Sequence, residues 1–464
     1  MKIVILAAGK STRFKSKKPK ALHQLFGRTI LDWVLKTAHS LNPSEIRLVL
    51  GHQAESFIEK LIRGESYAIQ LEQKGTAHAL MVALEELDEY EDGILVSCVD
   101  TPLLFADTLK KLIHSTKRSK SSVGVLTAEL ENPTGYGRIV ESVGEGFEIV
   151  EDKDLKENQI SINEINSGVY FFNLKVSELK ELLSLISNEN NQNEFYLTDI
   201  VKVANQKNLK ITRHKTPNPK EIWGVNSRQD LALAYKIANE TKIADLMACG
   251  VTFVSPESCT VSPDAVVGQD TTILPNTHIG SGVFIGDDCS IGPNTIIENS
   301  KIMSGCTVKS SSVVGAEIAE NCSVGPFSNL RLGSKLSEGV GIGDFVELKN
   351  STVGKNTKVS HLSYIGDAHL GDEVNVGAGT ITANFDALNG QKNFTVVGND
   401  VKVGSNSVLV APVEIADGCM VGAGTIVTQS VRQKDSLIIS RTPQVVKSDW
   451  VRIKREENLN EKAS

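Results

Sequence analysis

The hydrophobic pattern of the chain changes character about halfway along. From Met1 to about Val225, short apolar runs alternate with stretches whose apolar residues recur every three or four positions. KIVIL, IRLVLG, YAIQLE, GILVSCV and SVGVLTAEL read as strands, and TILDWVLKTAHSL, AESFIEKLIR and TAHALMVALEEL as amphipathic helices. Strand and helix in alternation predict a mostly parallel sheet flanked by helices. Residues 226–250 begin with NSRQDLALAYKIANETKIADLMA, a glycine-free amphipathic run with a polar cap, which predicts a linker helix.

Beyond it, aliphatic residues recur at every sixth position: Ile279, Ile285, Ile291 and Ile297, then Val324, Leu330, Leu336, Ile342 and Leu348. The series resumes at Val397, Val403, Leu409, Ile415, Val421 and Val427. Glycine commonly follows the aliphatic, as at Gly280, Gly286, Gly325, Gly343 and Gly404. A hexad of this kind is one flat side of a triangular parallel β-coil, with the aliphatic pointing inward. The period slips near Val353, and residues 382–395 leave it as an inserted loop, the kind of departure from a rigid scaffold where function tends to sit. The domains therefore read as 1–225, the linker 226–250, a β-helix over 251–440, and a tail over 441–464. Residues 452–464 are charged and poor in apolar residues and are expected to be disordered.

Composition narrows the chemistry. A net charge of -7 argues against a surface that holds nucleic acid by counterion release, so any phosphate is bound locally. Seven cysteines without a CxxC pair suit reduced thiols, and no apolar run reaches membrane-spanning length. A cytoplasmic protein without membrane or nucleic-acid partners is the expectation.

Three readings compete for KIVILAAGKSTRF. A Walker A loop would need its first glycine where Val4 stands, inside a strand, and a Rossmann GxGxxG is absent. A nucleotidyltransferase loop remains, with Leu6, Ala7, Ala8 and Gly9 offering backbone contacts and Arg13 and Lys20 supplying charge. Set alone, the lysines at 15, 17, 18 and 20 read equally well as a solvated basic loop. Transfer onto a phosphate builds negative charge that must be met by fixed cations, and a divalent metal would take oxygen ligands such as Asp100, which ends the run LVSCVD.

Taken in order, LAAGKSTR, PKALH, QKGTAHA, VDTPLL, NPTGYGRI, INSGVY, NEFYLTDI, WGVNSR, DFVELK, SHLSYIGDA, NVGAGTITANFD, VGSNSVLVAP and SRTPQ resemble one family over nearly the whole chain. It is the bifunctional N-acetylglucosamine-1-phosphate uridylyltransferase/glucosamine-1-phosphate acetyltransferase family, GlmU. The resemblance implies an α/β Rossmann-like nucleotidyltransferase domain followed by a left-handed parallel β-helix of hexapeptide repeats, assembled as a homotrimer. It implies acetylation of glucosamine-1-phosphate by acetyl-CoA, then uridylyl transfer from UTP to give UDP-N-acetylglucosamine for cell-wall precursors.

By motif, Leu6, Ala7, Ala8, Gly9, Gln70, Gly75 and Thr76 would hold the nucleotide, and Arg13 and Lys20 would neutralise its phosphates. Asp100 and Asn226 would hold Mg2+, while Gly137, Glu151, Asn166 and Asn226 would meet the sugar. In the β-helix, Arg331, Lys349, Tyr364, Asn375 and Lys392 would bind the sugar phosphate, and His361 would be the general base, with Glu347 as its orienting partner. Ala378, Asn384, Phe385, Ser405, Ala423 and Arg441 would line the acetyl-CoA groove.

Some positions depart from the family pattern. Ser11 stands where glycine is usual and would serve if its φ is negative; Phe14 replaces methionine; Phe385 replaces a tyrosine. Cys98-Val99 precede Asp100, with Val99 expected to crowd the sugar or the metal. Two other readings stay open: a single-activity sugar-1-phosphate nucleotidyltransferase whose β-helix only trimerises or regulates, and a scaffold with a retired site.

Overall fold

A computed structural model describes all residues except 10, 52, 62, 63, 90, 91, 143–145, 441, 442 and 462–464. The chain divides into two compact units, Met1–Thr241 and Lys242–Ser464. The division falls inside the helix Arg228–Ala248 rather than before it. Ala234 and Ala238 of this helix pack with Phe14 and Trp33 of the first unit, whereas Ile243 and Leu246 join the core of the second.

The first unit is built on a sheet whose central strand, Lys2–Ala7, is fully buried and lies parallel between Ile94–Cys98 and Glu45–Leu50. Strands this apolar along their whole length are covered on both faces, as parallel sheets require. The strand Glu164–Phe172 runs antiparallel between Ile94–Cys98 and Val123–Glu129, so the sheet is mixed. The helices predicted at 29–41 and 76–87 form as Ile30–His39 and Thr76–Glu85. The first is closed by a capping box between Thr29 and Asp32. The third predicted helix is shorter than expected: Glu55–Ile58 alone is helical, and the chain continues through i→i+3 turns at Lys60 and Leu61.

The second unit is a left-handed parallel β-helix of three sheets with 11, 10 and 9 strands. Inward aliphatics stack from coil to coil, for example Ile273 on Ile291 and Ile279 on Ile297, all inaccessible to solvent. The slip near Val353 is regular: Ile297 to Ile302, Val313 to Ile318, Leu348 to Val353 and Ile365 to Leu370 are five-residue steps at the same corner. Coils approach so closely that a Cβ on Gly343 would lie 2.0 Å from Ser360 O, which explains glycine there. All seven cysteines are free, and Cys289, Cys306 and Cys322 donate their thiols to Met303, Ala319 and Ser337 carbonyls at 3.2, 3.0 and 3.0 Å.

The tail corrects the expectation of disorder, since Trp450–Glu461 is helical. Its charges are spaced for a helix: Arg452 pairs with Glu456 at i,i+4 and Lys454 with Glu457 at i,i+3. No helix among the described residues is long and apolar enough to cross a membrane.

Candidate active sites

At the carboxyl end of the central strand lies a cavity of about 660 Å³. Open α/β sheets bind ligands at that end because the loops leaving the strands expose backbone donors there. Leu6, Ala7, Ala8, Gly9, Lys20, Gln70, Gly75, Thr76 and Asp100 all line the cavity, so strand, loop and helix start converge on it. Arg13 is exposed on the short turn Thr12–Phe14 and lies outside this lining. Gly75 is not an interchangeable turn residue, since its φ is 114° and a Cβ would meet Phe195 O at 2.4 Å. Gln70 is buried and its amide donates to Gly75 O at 3.2 Å, which ties the strand-end loop to the start of the helix Thr76–Glu85.

Ser11 does not meet its condition: its φ is +53°, in the region that favours glycine. Its hydroxyl faces Gly9 O at 3.4 Å and the Lys20 amide at 3.5 Å, so the side chain turns back into its own loop.

Lys20 is the centre of this site. Its ammonium donates to Asp100 Oδ2 at 2.7 Å and to Asn226 Oδ1 at 2.8 Å. Val225 N donates to Asp100 O at 2.8 Å and Asn226 N to Asp230 Oδ2 at 3.0 Å, so the distant Asn226 is held beside the strand end by its own backbone. Two oxygens aimed at one cation fit a divalent metal that takes few protein ligands and completes its shell with phosphate and water. Among the described residues no group of three His, Cys, Asp or Glu forms a self-sufficient metal cage.

Gly137, Glu151 and Asn166 form a second cluster. Asn166 N donates to Gly137 O at 2.9 Å, and a Cβ on Gly137 would lie 3.7 Å from Glu151 Oε2. Glu151 accepts from the Thr198 hydroxyl at 3.0 Å, and burial raises its carboxyl above the usual range. It borders a separate cavity of about 360 Å³. Between the clusters stands Cys98, whose thiol burial, reinforced by the Asp100 charge, pushes up to about 12. Its sulfur would lie 3.6 Å from a Cβ on Gly168. Val99 is 3% exposed and packs with Leu22 and Leu104, and it also lines the cavity of about 660 Å³ beside Asp100. Cys98 and Val99 both border the cavity that holds Lys20 and Asp100.

In the β-helix, His361 Nδ1 lies 2.7 Å from Asp344 Oδ1. Glu347, expected as the histidine's partner, instead accepts from Arg331 Nη1 at 2.8 Å. The coil period decides this: Asp344 stacks directly on His361 in the register, while Glu347 stacks on Tyr364. The bond from His361 holds the Asp344 carboxyl below its usual range. The 17-residue spacing from Ile342 to Val359 was the sequence signal that could have found Asp344.

The same column continues upward. Val359, Val376, Val403 and Val421 stack in register, so the residues two places on, His361, Ala378, Ser405 and Ala423, form one file. Backbone bonds from Asn406 N to Ala378 O and Gly424 N to Ser405 O, at 2.7 and 2.8 Å, confirm it. His361 therefore heads a file of small residues. Asn375 is exposed on the strand Asn375–Val376, one coil above Lys358. Arg441 lies outside the described residues.

On the next face Arg331, Lys349 and Lys392 come together. Lys392, with Arg331 adding to it, pushes the Lys349 amine below its ordinary range. Mutually repelling cations held at one place make an anion site. The Tyr364 hydroxyl lies over Gly366, where a Cβ would be 2.3 Å from it. Phe385 is 61% exposed and bridges Lys392 through its backbone, whereas Asn384 is buried and gives its amide to Asp367. No hydrogen bond or ion pair among the described residues joins His361 to the three cations.

Comparison with known proteins matches these elements. Residues 3–146 fit the MobA-like NTP transferase domain, residues 254–340 the GMPPB C-terminal domain, and residues 394–429 the bacterial transferase hexapeptide (six repeats). The chain is 42% identical over 463 residues to the bifunctional protein GlmU of Prochlorococcus marinus (strain MIT 9211), covering 99% of each. It is 40% identical over 458 residues to that of Clostridioides difficile (strain 630), covering 98% of each. With a nucleotidyltransferase-type unit, a hexapeptide β-helix and that extent of likeness, the chain belongs to the bifunctional GlmU family.

Proposed function

We propose that this chain makes UDP-N-acetylglucosamine in two steps, one in each unit. The observation that carries the reading is that each unit fixes cationic groups at its own site, Lys20 beside the Asp100 and Asn226 oxygens in the first, Arg331 with Lys349 and Lys392 in the second.

In the acetyl step, the 2-amino group of glucosamine-1-phosphate attacks the thioester carbonyl of acetyl-CoA. His361 Nε2 takes the amine proton, because Nδ1 is committed to Asp344 and the ring is thereby oriented. The C–N bond forms, the C–S bond breaks, and the coenzyme A thiolate leaves. The three cations hold the sugar's phosphate.

In the uridylyl step, a phosphate oxygen of N-acetylglucosamine-1-phosphate attacks the α-phosphorus of UTP, and the bond to pyrophosphate breaks. The loop from Leu6 to Gly9 and the start of the helix at Thr76 present backbone donors to the nucleotide. Lys20 faces the charge that develops on the transferred phosphoryl group. Mg2+, held by Asp100 and Asn226, would supply further neutralisation of the triphosphate. Glu151, Asn166 and Gly137 would receive the sugar.

The same reading makes the protein a cytoplasmic homotrimer that acts on small molecules for cell-wall precursor synthesis. Phe327, Phe345 and Leu362 are 60%, 57% and 62% exposed, and the two phenyl rings stack at 5.4 Å. They occupy a corner that Asn276, Asn294 and Ser310 fill in lower coils, and Leu362 adjoins His361. Such an apolar ridge is covered by another surface, and a neighbouring copy there would bring an anion site to the histidine.

The test is direct. Protein with acetyl-CoA, glucosamine-1-phosphate, UTP and Mg2+ is expected to release thiol and pyrophosphate and to form UDP-N-acetylglucosamine. Absence of thiol release would leave only the nucleotidyltransferase, and absence of pyrophosphate from ready-made N-acetylglucosamine-1-phosphate would remove the first-unit activity.

A further inference from the structure

The inserted segment of the β-helix is a small hairpin. Asn393 N donates to Asn384 O at 2.8 Å, Phe385 and Lys392 bridge in antiparallel fashion, and Asp386 N donates to Gln391 O at 2.9 Å. Its return strand is what brings Lys392 to Arg331 and Lys349. The root of this hairpin is fastened to one residue, Asp367. The amide of Asn384 donates to Asp367 Oδ2, and Thr395 N, where the coil resumes, donates to Asp367 O at 3.1 Å. Asp367 Oδ1 accepts from the Asn350 amide at 2.6 Å, which fastens it in turn to the coil that carries Lys349. Asp367 is 3% exposed and Asn384 8%, so water does not compete for these bonds.

A carboxylate is suited to this position, because it must accept from amide groups on two sides at once. Asparagine would offer one oxygen and turn an NH2 toward another NH2. The negative charge also lies where the neighbouring cations are crowded, which offsets part of its burial.

We propose that Asp367 is a positioning residue for acetyl transfer: it anchors the hairpin that holds Lys392 against Lys349 and Arg331, and sugar-phosphate binding depends on it although it touches no substrate. This rests on the reading of the second unit as an acetyltransferase.

The experiment measures acetyl transfer and UTP turnover in the full chain. Asp367→Asn is expected to raise KM for glucosamine-1-phosphate about tenfold or more, with a much smaller change in kcat and with UTP turnover unchanged. Adding Asn384→Asp to it re-creates a donor facing an acceptor, and, read at saturating acetyl-CoA because Asn384 is also assigned to the acetyl-CoA groove, is expected to restore KM for glucosamine-1-phosphate to within about threefold. In a Lys392→Ala background, Asp367→Asn is expected to add little, because the residue it positions is already gone. An unchanged KM in Asp367→Asn would overturn the proposal, as would an equal increase in the Lys392→Ala background. If the single variant loses its thermal transition, the double variant decides: a restored transition without a restored KM also overturns it. Wild-type protein without thiol release would instead refute the acetyltransferase reading, and that result is seen before any substitution is made.

Discussion

Asp344 Oδ1 and His361 Nδ1 are 2.7 Å apart on successive coils of the β-helix, stacked residue on residue in the register. The side chains are 39% and 57% exposed, so the pair orients the ring more than it stabilises the fold. His361→Ala is expected to lower the acetyl-transfer rate about 100-fold or more. Asp344→Asn should lower it less, about tenfold. Thiol release from acetyl-CoA measures both, with UTP turnover as the control. Because the bond holds the Asp344 carboxyl below its usual range, its contribution is present above the ordinary carboxylate pKa and is lost only as pH falls through the depressed value. Equal rates in Asp344→Asn and wild type would assign the base's orientation elsewhere.

Lys20 sits where the Asp100 and Asn226 oxygens, the proposed metal ligands, converge. A tethered ammonium competes with a free divalent ion for the same oxygens, so Lys20→Met is expected to bind Mn2+ more tightly than wild type in the absence of UTP, while losing UTP turnover. Electron paramagnetic resonance of free Mn2+ reads the first effect. Weaker Mn2+ binding in the variant would count against a shared site.

The crowding of Lys349 by Lys392 predicts a proton effect. The folded pKa of Lys349 is depressed, so between that value and its ordinary one the unfolded chain binds more protons and stability rises with pH. An arriving phosphate relieves the repulsion and raises the pKa again. Binding of glucosamine-1-phosphate at alkaline pH is therefore expected to take up protons, measured by titration calorimetry in buffers of different ionisation enthalpy. Proton release would contradict the cation cluster as the phosphate site.

Cys98 and Val99 separate structure from specificity. Val99→Ala removes buried methyl groups and is expected to cost about 2 kcal/mol of first-unit stability, with KM for N-acetylglucosamine-1-phosphate unchanged. Cys98→Tyr places a phenol at a half-buried position beside Asp100 and is expected to change that KM, at a cost in stability of about 1–3 kcal/mol from overpacking. Thermal unfolding and steady-state kinetics on the two variants check the division; a changed KM in Val99→Ala with an unchanged one in Cys98→Tyr would assign the sugar contact to Val99.

Much of this was legible in the residues. Alternating apolar runs dictated a sheet buried on both faces by helices, but not its mixed direction, since Glu164–Phe172 pairs antiparallel with both its neighbours. The hexads dictated a β-helix, since only a three-sided coil turns one residue in six inward on every side. Motif order singled out the loop at residues 6–9, and those residues line one cavity with Lys20 and Asp100. Less legible was the tail, where a charge run that resembles disorder satisfies itself as a helix through pairs one turn apart.

What the sequence determined by itself was periodicity, and with it the fold and the identity of residues that carry charge into each site. Tertiary structure alone decided the partnerships: Asp344 rather than Glu347 beside His361, Cys98 between Asp100 and Glu151, and Asp367 beneath the hairpin of Lys392. The physical reason is common to all three. Contacts in a stacked coil or a pleated strand are set by register between segments 16 or 17 residues apart or by which face a residue takes, and neither quantity is printed in the order of neighbours along the chain.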